Sequence, residues 1–446
     1  MIKQDVINKI KLVVGSIAVI ASAYLLQIDL VVAMFLIVLY AYLGITRPQA
    51  LKSNFISLSL LFVLIFVSSY CIIRQGWSIF YIPYSVVPML SIILFEDFIL
   101  SLLLTLACAV CVSAIAMNNF NLMLLFLTSG VSSVLLAHDA RKRVAVIRAG
   151  AGVGLIQVLS LLLISNFNVF PYGDRYLILF INGLVSGLFV LAILPVFEII
   201  FRKVTNISLL ELADFNHPLL QKMMQEAPGT YHHSLIVGNL SDAACSAVGA
   251  HALLARIGAY YHDIGKLSKP EYFSENQVMN ESKHDTLAPT MSKLVIMNHV
   301  KEGLELAKKY KLNPAVTDFI QSHHGNSLVY YFYRRALEGL EEDQELKEDG
   351  FRYPGPKPNN KETAIVLLAD SVEAATRALK DASPTKINEL VHKIINNKFI
   401  DGQLDNCDLT LKDLEKIAAV FIHILSGIYH SRVTYPESNK DSGEQS

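Results

Sequence analysis

His232 and His233, the dyad His262-Asp263, His299, the pair His323-His324 and Asp370 draw attention because each stands among apolar helix formers, Asp370 in the run AIVLLADSVEAA. A buried imidazole or carboxylate is costly unless it is paired or ligates a metal. Any one of these side chains has an ordinary explanation as hydrogen-bonded structure, but several within one stretch of chain point to a shared partner. Neutral imidazole together with carboxylate suits Fe, Mn or Zn, and the lack of paired thiols nearby argues against a structural zinc site. Neighbours on a helix lie about 100° apart, so His262 and Asp263 aim at one centre when the dyad sits at the helix edge of a cleft. A carboxylate in that position can bridge two ions. The chemistry in reach is that of a metal cage holding a small anionic ligand.

The elements that must build this cage begin near Thr205. From there the pattern is that of amphipathic helices with clear stops: Asn216 before His217-Pro218, Pro228-Gly229 before Thr230, Gly265 after a long apolar run, and Asn313-Pro314. Few stretches alternate with period two, so the spacing predicts an all-helical domain over 206–436, followed by a polar, disordered tail at 437–446. Twelve of the thirteen histidines lie in this half. Residues 201–446 carry 27 Lys/Arg against 32 Asp/Glu, and that acidic balance argues against a nucleic-acid polymer as partner, which would call for a basic face.

Residues 1–205 have a different character. Only 11 Lys/Arg and 7 Asp/Glu precede position 201, in a chain that is 53% hydrophobic with a mean hydropathy of +0.42. Apolar stretches at 12–28, 30–46, 55–73, 79–95, 98–117, 120–137, 145–166 and 176–200 approach the ~20 residues that cross a bilayer. They predict a transmembrane bundle of about eight helices, the first two forming a tight hairpin around Asp29. The N-terminal run leads straight into another span and shows no evident small-residue cleavage site, so it reads as an uncleaved anchor. Lys3, Lys9 and Lys11, then Arg47 and Lys52, then Arg141, Lys142, Arg143 and Arg148, and finally Arg202 and Lys203 all fall on one side of an eight-span bundle, leaving Arg74 and Arg175 on the other. Basic short loops stay on the cytoplasmic side, so a multi-pass protein of the cell membrane is expected, with its N-terminus and soluble half in the cytosol. Cys71, Cys108 and Cys111 lie in apolar runs and Cys245 and Cys407 stand alone. They read as buried thiols in a reducing compartment.

The order H…HD…H…HH…D resembles the HD superfamily of metal-dependent phosphohydrolases. Around it, EAPGTYHHSL (226–235), LLARIGAYYHDIGKL (253–267), FRYPGPKP (351–358), LADSVEAATR (368–377) and DGQLDNCDLTLKDL (401–414) closely resemble the seven-transmembrane HD family, the PgpH-type cyclic di-AMP phosphodiesterases. The similarity is strong from about 205 to 437 and extends to the architecture of the hydrophobic half. It implies that His233, His262, Asp263 and Asp370 hold one metal and His299, His323 and His324 the other. Asp263 would bridge two divalent ions, Mn or Fe, with water between them as nucleophile. His232, about 100° from His233 on the helix, is expected to support the ligands from behind or to be structural. Lys266, one turn beyond His262, is placed to approach a phosphate oxygen as a second catalytic residue. The substrate implied is a cyclic dinucleotide, cyclic di-AMP opened to linear pApA. Two cations would neutralise the diester oxygens and lower the pKa of the attacking water. Tyr272, Phe273, Tyr330, Tyr331 and Phe332 are candidates for stacking adenine, although aromatic residues at such spacing more often build core.

Family members usually carry a large extracellular domain after the first span, whereas the first two apolar stretches here are joined almost directly. The expectation is a membrane-held enzyme without an external sensor. A cyclic di-GMP phosphodiesterase of the HD-GYP branch should show GYP after its paired histidines, where this chain reads GNSLVYYFY. Another nucleotide hydrolase on the same ligands, and a catalytically silent nucleotide sensor, complete the alternatives.

Overall fold

The computed structural model describes residues 30–46, 48–116, 119–168, 173–201, 203–277, 282–339, 346–379 and 381–429. The expected first span at 12–28, the N-terminal lysines, Arg47, Arg202 and the polar tail lie outside the described residues. The chain divides into two compact units, 1–210 and 211–446, a few residues beyond the boundary read from composition. Among the described residues the regular structure is helical, with one isolated bridge between Leu328 and Arg352.

The first unit contains α1 (Leu30–Thr46), α2 (Pro48–Arg74), α3 (Val86–Phe95), α4 (Phe98–Ile115), α5 (Phe120–Ala137), α6 (Arg143–Ile164) and α7 (Gly173–Phe201). Among the described residues five helices are long and apolar enough to cross a bilayer, within α2 and along α4 to α7; the protein is a multi-pass membrane protein. The apolar stretch 79–95 takes a different form. It breaks into a 3-10 turn at Ile79–Tyr81 and the ten-residue α3, which rises only about 15 Å against ~30 Å of hydrocarbon. Every residue from Val86 to Leu94 is buried, so α3 is wrapped by protein. The break needs acceptors satisfied away from water. Asn182 of α7 donates its amide to the carbonyls of Phe80 and Ile82, at 3.2 and 3.1 Å. Below it, Gln157 of α6 donates to Ser129 at 2.6 Å and to Ser85 at 3.1 Å.

Helices α6 and α7 pack backbone to backbone. Gly150 and Gly154 face Gly183 and Gly187, and a Cβ built on Gly183 would lie 2.3 Å from the amide nitrogen of Gly154. Small residues four apart let membrane helices approach this closely. At the end of α7, the buried Glu198 accepts from the Thr205 amide (2.9 Å), the Thr205 hydroxyl (2.6 Å) and the Ser208 hydroxyl (2.9 Å), folding residues 203–208 back onto the helix.

α8 (Asn206–Leu212) is followed in the second unit by α9 (Pro218–Glu226), α10 (Pro228–Val248), α11 (Ala252–Tyr261), α12 (Pro289–Lys309), α13 (Pro314–Ser322), α14 (Tyr330–Glu338), α15 (Lys361–Arg377), α16 (Pro384–Ile400) and α17 (Leu411–Ile428). The anticipated stops are where the helices turn over. His217 caps α9, Pro228 opens α10, and the Asn313 side chain accepts from the Ala315 amide to start α13. α15 is buried without a break from Thr363 to Asp370, as a helix apolar all round must be. Val237, Leu240 and Ala244 of α10 and Ile417, Phe421 and Leu425 of α17 lie with it in one core. This central helix carries Asp370 inward. The cysteines are free thiols; Cys108, Cys111 and Cys245 are buried as expected, Cys407 is half-buried, and Cys71 is exposed on α2.

Candidate metal centre

His233 points inward from α10, while His232 beside it faces solvent. His262 closes α11, and Asp263 opens the 3-10 turn Ile264–Ser268. Gly265 allows that turn to lie against α12, since a Cβ there would fall 1.8 Å from the carbonyl oxygen of His299. His323 follows the last residue of α13 and His324 comes next; Asp370 comes from α15. Helix ends and helix faces from five segments thus meet at one point.

Asp263, 1% exposed, occupies the middle, and its two oxygens face different partners. Oδ2 lies 3.2 Å from His262 Nε2 and 3.6 Å from His233 Nε2; Oδ1 lies 3.3 Å from His299 Nε2 and 3.6 Å from His323 Nε2. Asp370 closes the first side, with Oδ1 3.1 Å from His233 Nε2 and 3.9 Å from His262 Nε2, and its Oδ2 is 3.7 Å from His324 Nδ1. Ligand atoms of His233, His262, Asp263 and Asp370 all lie within 4.8 Å of one another, as do those of Asp263, His299, His323 and His324. The structure brings together all seven residues expected to be ligands, in two groups sharing Asp263.

The outer nitrogens of the rings determine what the inner ones offer. His262 Nδ1 donates to the Ala259 carbonyl and His299 Nδ1 to that of Ile296, each at 2.6 Å, and His323 Nδ1 to those of Phe319 and Ile320, each at 3.0 Å. A carbonyl only accepts, so Nδ1 carries the proton in each neutral ring and Nε2 turns a lone pair to the centre. His233 Nδ1 instead meets the Glu373 carboxylate. His233 Nε2, His262 Nε2 and Asp263 Oδ1 are buried and lack a hydrogen-bond partner. Orphaned acceptors in a cage of imidazole and carboxylate fit divalent cations.

Electrostatics divide the two sides. Burial opposes charge on His262, yet Asp263 and Asp370 push its pKa up to about 10. His233 is raised against burial by Asp370 and Glu373. On the other side burial lowers His299 and His324, and burial with the neighbouring His262 brings His323 down to about 3. Despite burial, Asp263 is held well below the usual carboxylate range by His262 and Lys266, and Asp370 by His233 and His262.

Lys266 does not point to solvent. Its Nζ lies 2.7 Å from Asp263 Oδ2 and 2.7 Å from Glu275 Oε1, and 5.0 Å above the Phe273 ring centroid. Phe273 also meets His299 edge-on, with centroids 5.9 Å apart. Of the other aromatic candidates, Tyr330 and Tyr331 are exposed, whereas Tyr272 and Phe332 pack on His284.

Sequence reasoning missed Glu373, Glu275 and Tyr353, whose ring stacks on His324 at 4.3 Å. It also missed the clamp behind the paired histidines. Gln403 accepts from the Asn326 amide at 3.0 Å and donates to the Asn326 side chain at 2.6 Å. Arg352 forks onto Asp401 at 2.8 and 3.2 Å and donates to the Asn326 carbonyl at 2.9 Å. Gly325, with φ +55°, passes so close that a Cβ would sit 2.2 Å from Gln403 Oε1. The strings FRYPGPKP and DGQLDNCDLT supplied the signal for this clamp.

Residues 22–205 match the family described as "7TM receptor with intracellular HD hydrolase", and residues 230–375 match the HD domain. The chain is 44% identical over 327 residues to a cyclic-di-AMP phosphodiesterase PgpH of Bacillus subtilis, covering 72% of this chain and 46% of that one. It is 36% identical over 425 residues to the protein of the same name from Listeria monocytogenes, covering 91% and 58%. A crystal structure of the L. monocytogenes PgpH HD domain in complex with cyclic-di-AMP is 44% identical, spans 48% of this chain and 99% of its own, and superposes with a TM-score of 0.46. The chain spans about half the length of the curated relatives it matches. With one match over the membrane unit and a second over the unit that holds the histidines, the chain belongs to the PgpH-type family of seven-transmembrane proteins carrying an HD hydrolase domain.

Proposed function

We propose that this chain is a membrane-bound, metal-dependent phosphodiesterase that opens cyclic di-AMP to linear pApA. One observation carries the reading: the two oxygens of Asp263 divide between two sets of inward-facing imidazoles, the arrangement a pair of bridged ions requires. The names of the relatives point to cyclic di-AMP. Mixed imidazole and carboxylate ligands favour Mn or Fe. The basic residues Arg141, Lys142, Arg143 and Arg148 lie two crossings, α6 and α7, before Lys203 and so on the same side as the HD domain, which favours a cytosolic HD domain.

When bound, the ions would neutralise the diester oxygens and lower the pKa of the attacking water. The protein's own residues do the rest. His233, His262, Asp263 and Asp370 would hold one ion, and Asp263, His299, His323 and His324 the other. The cage opens where its members reach solvent, at Lys266, Asp370 and His324, with side chains 13%, 11% and 22% exposed. Lys266, whose ammonium is held between Asp263 and Glu275, would orient a phosphate oxygen of the diester. Hydrolysis forms a P–O bond to water and breaks the P–O3′ bond, and a proton passes to the leaving oxygen.

Full-length protein in detergent or nanodiscs should take up about two equivalents of Mn or Fe and cleave cyclic di-AMP in preference to cyclic di-GMP and linear pApA, with activity lost to a chelator. Failure to bind metal, or preference for another ester, would overturn the assignment.

A further inference from the structure

Among the four imidazoles whose Nε2 faces Asp263, three are backed by main-chain carbonyls and one by a carboxylate. That carboxylate belongs to Glu373, 1% exposed, which α15 places one turn after Asp370 on the same inward face. Arg377, a further turn along, approaches Glu373 at 3.6 Å and Glu275 at 3.8 Å, and Glu275 in turn holds Lys266. The two sides of the cage therefore differ in charge. The side with His233 and His262 has Asp370 Oδ1, shares Asp263 and has Glu373 behind it, and the Lys266 ammonium on its Asp263 oxygen is matched by Glu275. The side with His299, His323 and His324 has its share of Asp263 and, 3.7 Å from His324, the other oxygen of Asp370, with no carboxylate behind its rings.

A divalent ion is drawn to the more anionic position, strongly so where water is excluded. A carboxylate hydrogen-bonded to the far nitrogen of a ligating imidazole also makes the near nitrogen a better donor to metal. We propose that the two metal positions are inequivalent: the one formed by His233, His262, Asp263 and Asp370 fills first, and Glu373 is the positioning residue that sets its affinity. This rests on the two-ion reading above and assigns an order and a cause within it.

The test is calorimetric titration of metal-free full-length protein with Mn2+, read in parallel by electron paramagnetic resonance. Wild type should bind in two resolvable steps. Glu373→Gln keeps an oxygen to accept from His233 Nδ1 and removes the charge; it should weaken the tighter step by about 10- to 100-fold and leave the weaker one in place. His299→Ala should remove the weaker step and spare the tighter. Two identical steps in wild type, or an equal weakening of both steps in Glu373→Gln, would overturn the inference. So would loss of both steps accompanied by altered helical circular dichroism, since that marks Glu373 as merely structural. A wild type that binds no Mn2+ would instead remove the two-ion reading itself.

Discussion

Asp263 has no interchangeable neighbour, because each of its oxygens serves a different set of imidazoles. Asp263→Ala should reduce turnover of cyclic di-AMP by more than about 100-fold, beyond the range for residues that only orient ligands, and bring bound metal below one equivalent, while the protein still reaches the membrane. Activity assays with metal analysis of the purified variant check this, and near-normal turnover would show that Asp263 does not bridge. The ligands were legible in the sequence because a histidine or aspartate inside an apolar run has to be compensated. Glu373 was not, since a glutamate in VEAATR reads as an ordinary helix surface residue. Its burial follows from where α15 lies against α10 and α17, which no local pattern reveals.

The paired histidines owe their place to two segments far along the chain. Gln403 and Arg352 hold the loop after His324 by its main chain, and the positive φ of Gly325 lets that loop turn under Gln403. Gln403→Ala leaves the half-buried Asn326 short of partners for its main-chain amide and its side-chain oxygen. It should cost about 1–3 kcal/mol of stability and lower turnover by about 10-fold or more, with Tyr353 and His324 losing their fixed stacking. Thermal unfolding and kinetics on one preparation separate the two effects. The motifs were visible as strings, but their partnership was not, because Asn326 and Gln403 meet only in the folded unit. The apolar stretch 79–95 was misread for a related reason. Hydropathy records that a segment avoids water, not whether lipid or protein surrounds it, and α3 is covered by protein.

At the scale of the chain, the two compact units should respond separately to damage. Gly183→Leu drives a side chain into the α6 backbone and should lower the melting temperature of the membrane unit by several degrees, roughly 2–4 °C for each kcal/mol lost. Metal bound per folded HD domain should be unchanged. Detergent-resolved melting with metal analysis reads both quantities, and loss of metal in proportion to the membrane defect would contradict the separation. The clasp at the end of α7 has a consequence for how the protein meets its lipid. With 29 residues the helix rises about 43 Å across ~30 Å of hydrocarbon, so it must lean or protrude. Bilayer thickness then biases its inclination within what its packing on α6 allows. Glu198 ties Thr205 and Ser208 to its final turns, so the first residues of the connector lean with it, and the thickness of the surrounding bilayer becomes a mechanical input to the exit from the membrane.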